Sequence, residues 1–116
     1  MATGTIDVNS TKKTGTITPK SGFTISESRC VQKGNVVEVH FYVSGNFTAD
    51  TGVQVATISG VALPPTGIRK VCSYGAQAYS AWNSGYCGLF TGGEINVAIT
   101  ATGTRIVLLD FVYTVD

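Results

Sequence analysis

Residues 33–43 read KGNVVEVHFYV. Lys33-Gly34-Asn35 is a tight-turn signal, and the run that follows alternates strictly. Val37, Val39, Phe41 and Val43 fall on one face, and Val36, Glu38, His40 and Tyr42 on the other. Successive side chains of a strand point to opposite faces of its sheet, so the first set belongs to a core. The second set is amphipathic and meets water, a ligand or a neighbouring chain. A turn joined to such a run predicts a β-hairpin whose other arm is FTISESRCVQ, residues 23–32. In that arm Phe23 and Ile25 share one face and Cys30 lies on the other.

Working outward, TGTIT (14–18) alternates weakly and PKSG (19–22) is a turn. GNFTADTG (45–52) reads as a loop and Val53–Ile58 as a strand. SGVALPPTG (59–67) is irregular, because Pro64-Pro65 excludes a central strand. Alternation resumes over Ile68–Ala78, with Ile68, Lys70, Cys72 and Tyr74 on one side. Tyr79, Trp82, Tyr86 and Phe90 have helix spacing, but Gly85 and Gly88 oppose a helix. We read residues 79–85 as a loop, 86–90 as a strand and Thr91-Gly92-Gly93 as a hairpin turn. A strand face over Ile95, Val97 and Ile99 follows, then a turn at 101–103.

The closing segment RIVLLDFVYTV (105–115) is apolar on both faces. Val107, Leu109, Phe111 and Tyr113 form one face; Ile106, Leu108 and Val112 form the other. Such a strand needs a second cover, supplied by a subunit interface or by a central position between two sheets. About eight strands at short spacing predict an all-β, antiparallel β-sandwich or jelly roll. The head domain is expected over 14–116, after a polar tether at 1–13. No internal repeat points to a propeller or solenoid.

Composition narrows the function classes. Charged residues are 13% of the 116 and the formal net charge is +1. The basic side chains are scattered and form no stripe, so no nucleic-acid partner is expected. Cys30, Cys72 and Cys87 form no CxxC pair and fit no zinc template. Three thiols on strand-like runs read as small apolar fillers in a chain folded in a reducing cytosol. The polar start carries no signal-peptide pattern, and the two glycosylation sequons, at Asn9 and Asn46, read as chance matches.

Residues 71–93 hold no Asp, Glu, Lys or Arg, yet carry Tyr74, Tyr79, Trp82, Tyr86 and Phe90 among Ser, Gln, Asn and Gly. That polar content excludes a membrane span. Flat rings beside neutral hydrogen-bonding groups suit a neutral, hydroxyl-rich ring such as a sugar. Core packing is the commoner fate of clustered aromatics, and both readings stand.

Catalytic chemistry finds little support. His40 is the only histidine, and the seven carboxylates are dispersed. Glu38 and Asp110 sit mid-strand, where they would face each other if the register allowed. There is no phosphate loop, no metal-ligand cluster and no cofactor motif. Asp110 interrupts an apolar strand, so it is wet or paired; Arg69, Arg105 and His40 are its candidate partners, and a sugar hydroxyl is the functional alternative.

The strings GNVVEVHFYVSG (34–45), VATISGVALPPTGIRK (55–70) and GYCGLFTGGEINVAITATG (85–103), followed by an apolar strand, have a familiar order. It resembles the C-terminal head domains of receptor-binding and tail-fibre proteins of phages that infect Gram-positive bacteria. Those heads share a Gly-Asn turn opening a hydrophobic strand and a segment like IATLPxGxRP, loosely matched by residues 55–69. The resemblance covers 14–116 and rests on turn and strand signals. It implies a non-catalytic β-sandwich or jelly-roll head, usually a homotrimer, that binds host cell-surface saccharide. It also implies a place at the virion tail tip, an upstream fibre or baseplate partner, synthesis in the host cytoplasm and no membrane insertion. No family motif transfers residue by residue, so the site is inferred from chemistry. Trp82 and Tyr79 supply stacking faces, Asn83 and Gln77 amide hydrogen bonds, and His40, Arg69 and Asp110 polar clamps, within one chain or between two. The competing expectations are a structural virion module, a carbohydrate-active enzyme and a cellular β-sandwich adhesin.

Overall fold

The computed structural model describes residues 12–77 and 82–116. They form nine antiparallel strands: β1 (Lys13–Thr14), β2 (Thr16–Pro19), β3 (Thr24–Lys33), β4 (Val36–Phe47), β5 (Val53–Ser59), β6 (Ile68–Gly75), β7 (Asn83–Leu89), β8 (Glu94–Ala98) and β9 (Gly103–Thr114). The described residues contain no helix. The expected tether lies outside the described residues except for Lys12 and Lys13, and Lys13 already pairs with Gln32.

All nine strands belong to one nearly closed, barrel-like sheet, in the order β1-β3-β4-β9-β6-β7-β8-β5-β2. The antiparallel all-β expectation holds, with one strand more than anticipated and a single hydrogen-bonded sheet. That sheet has two halves. β4 and β9 share twelve register pairs, from Val36↔Thr114 to Phe47↔Gly103. β9 and β6 share only three, from Ser73↔Leu108 to Gly75↔Ile106. Beyond this short seam the strands splay, and Lys70 fills the gap: its Nζ donates to the Asp110 carbonyl at 2.6 Å and lies 5.8 Å from the Phe111 ring centroid. The second half, β6-β7-β8-β5, is a Greek key, since the long proline-containing connection carries the chain from β5 to β6 and β8 then comes back beside β5.

The N-terminal segment closes the sheet. Lys13 and Thr14 pair with β3, whereas Thr16–Pro19 pair with β5, so Gly15 is the point where one chain passes between two edges. Its N–H donates to the Cys30 carbonyl at 2.7 Å. A Cβ on Gly15 would lie 2.6 Å from the Ser59 carbonyl oxygen and 2.7 Å from Cys30 Sγ. Closure leaves fewer edge groups open to pair with other chains.

The predicted hairpin is present: Gly34 takes φ +58° and Lys33 pairs with Val36. The face made of Val37, Val39, Phe41 and Val43 is fully buried, and Val107, Leu109 and Phe111 meet it from β9. Leu89, Ile95, Val97, Ile99, Val55 and Ile58 complete the core from the other half. Each large side chain buried there contributes roughly 1.5–3 kcal/mol relative to exposure.

Several boundaries move. β4 runs on to Phe47, because Gly45, Asn46 and Phe47 pair with Arg105, Thr104 and Gly103. β7 begins at Asn83 rather than Tyr86, since Asn83 pairs with Tyr74. In β3, Cys30 and Ile25 share the inward side instead of opposing. Between Ser26↔Tyr42 and Arg29↔His40 the strand carries one extra residue, a β-bulge in which Glu27 takes φ +49°. The bulge resets the alternation, so Cys30 is buried while Ile25 packs on the same core.

Candidate functional site

The amphipathic face of β4 becomes the outer face of the sheet. Antiparallel pairing places His40 opposite Asp110 and Tyr42 opposite Leu108. Glu38 faces Val112, so the Glu38–Asp110 juxtaposition does not form. Glu38 is engaged by Arg29 instead, Nε to Oε1 at 3.2 Å. His40 is thus the partner of Asp110, while Arg105 donates to the Thr104 carbonyl and Arg69 lies on β6.

His40 Nδ1 and Asp110 Oδ1 are 4.0 Å apart. That is the outer limit of an ion pair and too long for a hydrogen bond. Both side chains are exposed, so both keep hydrogen-bonding capacity toward the outside.

Trp82 precedes β7 on the outward parity shared with Ser84 and Tyr86. Its indole meets the Tyr42 ring edge-on, with centroids 6.4 Å apart and planes at 87°. The His40 ring stands 6.2 Å from Tyr42 at 73°. Because β9 and β6 lie between β4 and β7, the two aromatic side chains lean together across two strands. They span the seam at the level of Leu108 and Ile106, which are half-buried. Part of the cover expected from a second subunit is therefore intramolecular. Val112 remains 61% exposed and Val71 57%.

The site residues expected from chemistry divide. Trp82, His40 and Asp110 come together, joined through Tyr42, which sequence reasoning left out although it sits two residues from His40 on the same face. Asn83 is exposed at the start of β7. Gln77 is exposed beyond the end of β6. Tyr79 lies outside the described residues. Arg69 is not part of the cluster: it lines a separate groove with Tyr86, Phe90 and Asn96.

The cysteines are all free and buried. Burial pushes the Cys30 thiol up. A hydrogen bond with Cys72, then burial, push Cys87 well above the ordinary cysteine range. A buried, protonated Cys30 and Cys87 act as packing groups rather than as nucleophiles. Among the described residues no group of His, Cys, Asp and Glu is placed to hold a metal, and no helix is long and apolar enough to cross a membrane. Comparison of the chain with protein-family models, with curated proteins and with solved structures gives no match.

Proposed function

We propose that this chain is the saccharide-binding head of a phage receptor-binding or tail-fibre protein, acting without catalysis as a homotrimer at the virion tail tip. The observation that carries the reading is the outer-face cluster: the Tyr42–Trp82 ring pair next to His40 and Asp110, which do not hydrogen-bond to each other. Partly exposed rings cover the C–H face of a sugar, and an imidazole and a carboxylate meet its hydroxyls. The low charge of the chain and the exposed Val71 and Val112 support association with further copies. A β-sandwich or jelly-roll head is the finer architecture this reading carries, and it accords with a sheet whose halves meet at a three-pair seam.

A second reading is a structural virion module. It is favoured by the half-burial of Leu108 and Ile106 at the level of the ring pair, which gives the rings a packing role. Glycan-array binding of the wild-type protein and a Trp82→Ala variant separates the two. Binding to host cell-surface polysaccharide that Trp82→Ala abolishes supports the adhesin. Absence of binding to any glycan gives way to the structural module.

A further inference from the structure

The other half of the sheet carries a groove that the ring cluster does not use. Its volume is about 360 Å³, and its walls include Arg69, Tyr86, Gly88, Phe90, Asn96 and Ala98. Three of these are one row across three strands: Arg69 pairs with Gly88, and Gly88 with Asn96. Glycine at the centre of that row leaves room for a ring to lie over it, between the outward aromatic positions Tyr86 on β7 and Phe90 just beyond it. The Phe90 ring lies low against this floor, since a Cβ on Gly88 would be 3.0 Å from Phe90 Cζ. Tyr86 stands clear of the sheet at 71% exposure.

Two polar groups in the groove are unspent. Asn96 Oδ1 is buried and, among the described residues, is the side-chain polar atom left without a hydrogen-bond partner. A buried acceptor without a donor is destabilising, and a ligand donor relieves that once the soft χ2 of the amide turns toward it. The ladder beside it is irregular: β5 bulges between Gln54, which faces Asn96, and Ala56. Arg69 is exposed and has no ion-pair partner among the described residues, and no acidic side chain lines the groove. An apolar ring platform, an unsatisfied amide and an unopposed guanidinium define a ligand with a flat face, hydroxyl donors and one negative charge.

We infer that this groove binds a hexuronate ring, with the sugar face on Tyr86, a hydroxyl on Asn96 and the carboxylate on Arg69. Guanidinium–carboxylate pairing is charge-assisted and planar, so it selects the acidic sugar over its neutral counterpart. The inference stands on the groove alone and does not require the Trp82 cluster to bind anything.

Amide-resolved NMR titration of the intact chain tests it with glucuronate, glucose and acetate as probes. Glucuronate shifts the resonances of Arg69, Tyr86 and Asn96 saturably, with glucose at least about tenfold weaker and acetate not saturating. Arg69→Gln brings glucuronate down to the glucose level, and Tyr86→Ala weakens both sugars by about tenfold. Both groove residues are exposed, so these variants fold. Equal affinity for glucuronate and glucose, saturation by acetate alone, or shifts confined to the surroundings of Trp82 each overturn the inference.

Discussion

The Tyr42 ring stands edge-on to the Trp82 indole, 6.4 Å between centroids, although two strands separate their backbones. The contact therefore bridges the short seam between β9 and β6 from outside. It also sets the energetic weight of Trp82. A half-buried side chain on the outer face gives up less on truncation than a sealed one. Trp82→Ala is expected to cost about 1–2 kcal/mol, against about 3–5 kcal/mol for Phe111→Ala in the closed core. Urea denaturation of both variants checks the order, and an equal or larger loss for Trp82→Ala would make the indole a core residue.

Closure of the sheet depends on the absence of a side chain at Gly15. A methyl there meets the Ser59 carbonyl, Cys30 Sγ and Val61 Cγ1, all within 3.0 Å. Gly15→Ala is expected to destabilise by about 1–3 kcal/mol through overpacking and backbone displacement. Gly52→Ala serves as control, since a Cβ at Gly52 meets nothing within 4 Å, and it should stay within about 0.5 kcal/mol of wild type. Equal midpoints for the two variants would argue against closure at Gly15.

Tyr113 gives a pH signature. Its hydroxyl donates to the Ala62 carbonyl at 2.6 Å, and burial, then the negative charge of neighbouring Cys30 once that thiol ionises at alkaline pH, push its phenol up to about 12. An unfolded tyrosine titrates near about 10. Between those values the unfolded chain releases a proton that the folded chain keeps. The stabilisation present below about pH 10 is therefore lost as pH rises toward 12. Tyr113→Phe should be about 1 kcal/mol less stable at neutral pH and show a shallower alkaline loss. Parallel alkaline curves for the two proteins would contradict the assignment.

Much of the fold was legible in the sequence, and the failures have local causes. The alternation of Val37, Val39, Phe41 and Val43 against His40 and Tyr42 named the inward and outward faces of β4 correctly, because strand parity depends only on spacing. The same rule misplaced Cys30 relative to Ile25, because one extra residue at a bulge shifts parity and Glu27 carries no glycine to announce it. Strand ends were shortened wherever glycine or asparagine looked like a turn: Gly45 and Asn46 continue β4 because β9 supplies their partners. The candidate site was legible as residue types but not as a place. His40 and Asp110 meet through a register that no spacing rule fixes, and Arg69 shares their chemistry while sitting on another part of the sheet.

The homotrimer reading predicts a solution mass of three protomers. Val112 is exposed on the outer face opposite Glu38. Val112→Lys introduces a charge into an apolar contact while leaving a favourable cross-strand partner within the protomer. Sedimentation should show the trimer for wild type and a shift toward protomer for Val112→Lys. A wild-type protein that sediments as a single protomer would remove the trimer from the account.

The central claim, that the outer-face ring pair grips a saccharide, has a built-in reporter, because Trp82 is the only tryptophan in the chain. Titration of the protein with solubilised host cell-wall polysaccharide, followed by tryptophan emission, reads that position alone. The account predicts a saturable change in emission and a loss of acrylamide quenching as the sugar covers the indole. Saturable polysaccharide binding with no change at Trp82, or an indole already closed to acrylamide in the free protein, would contradict it.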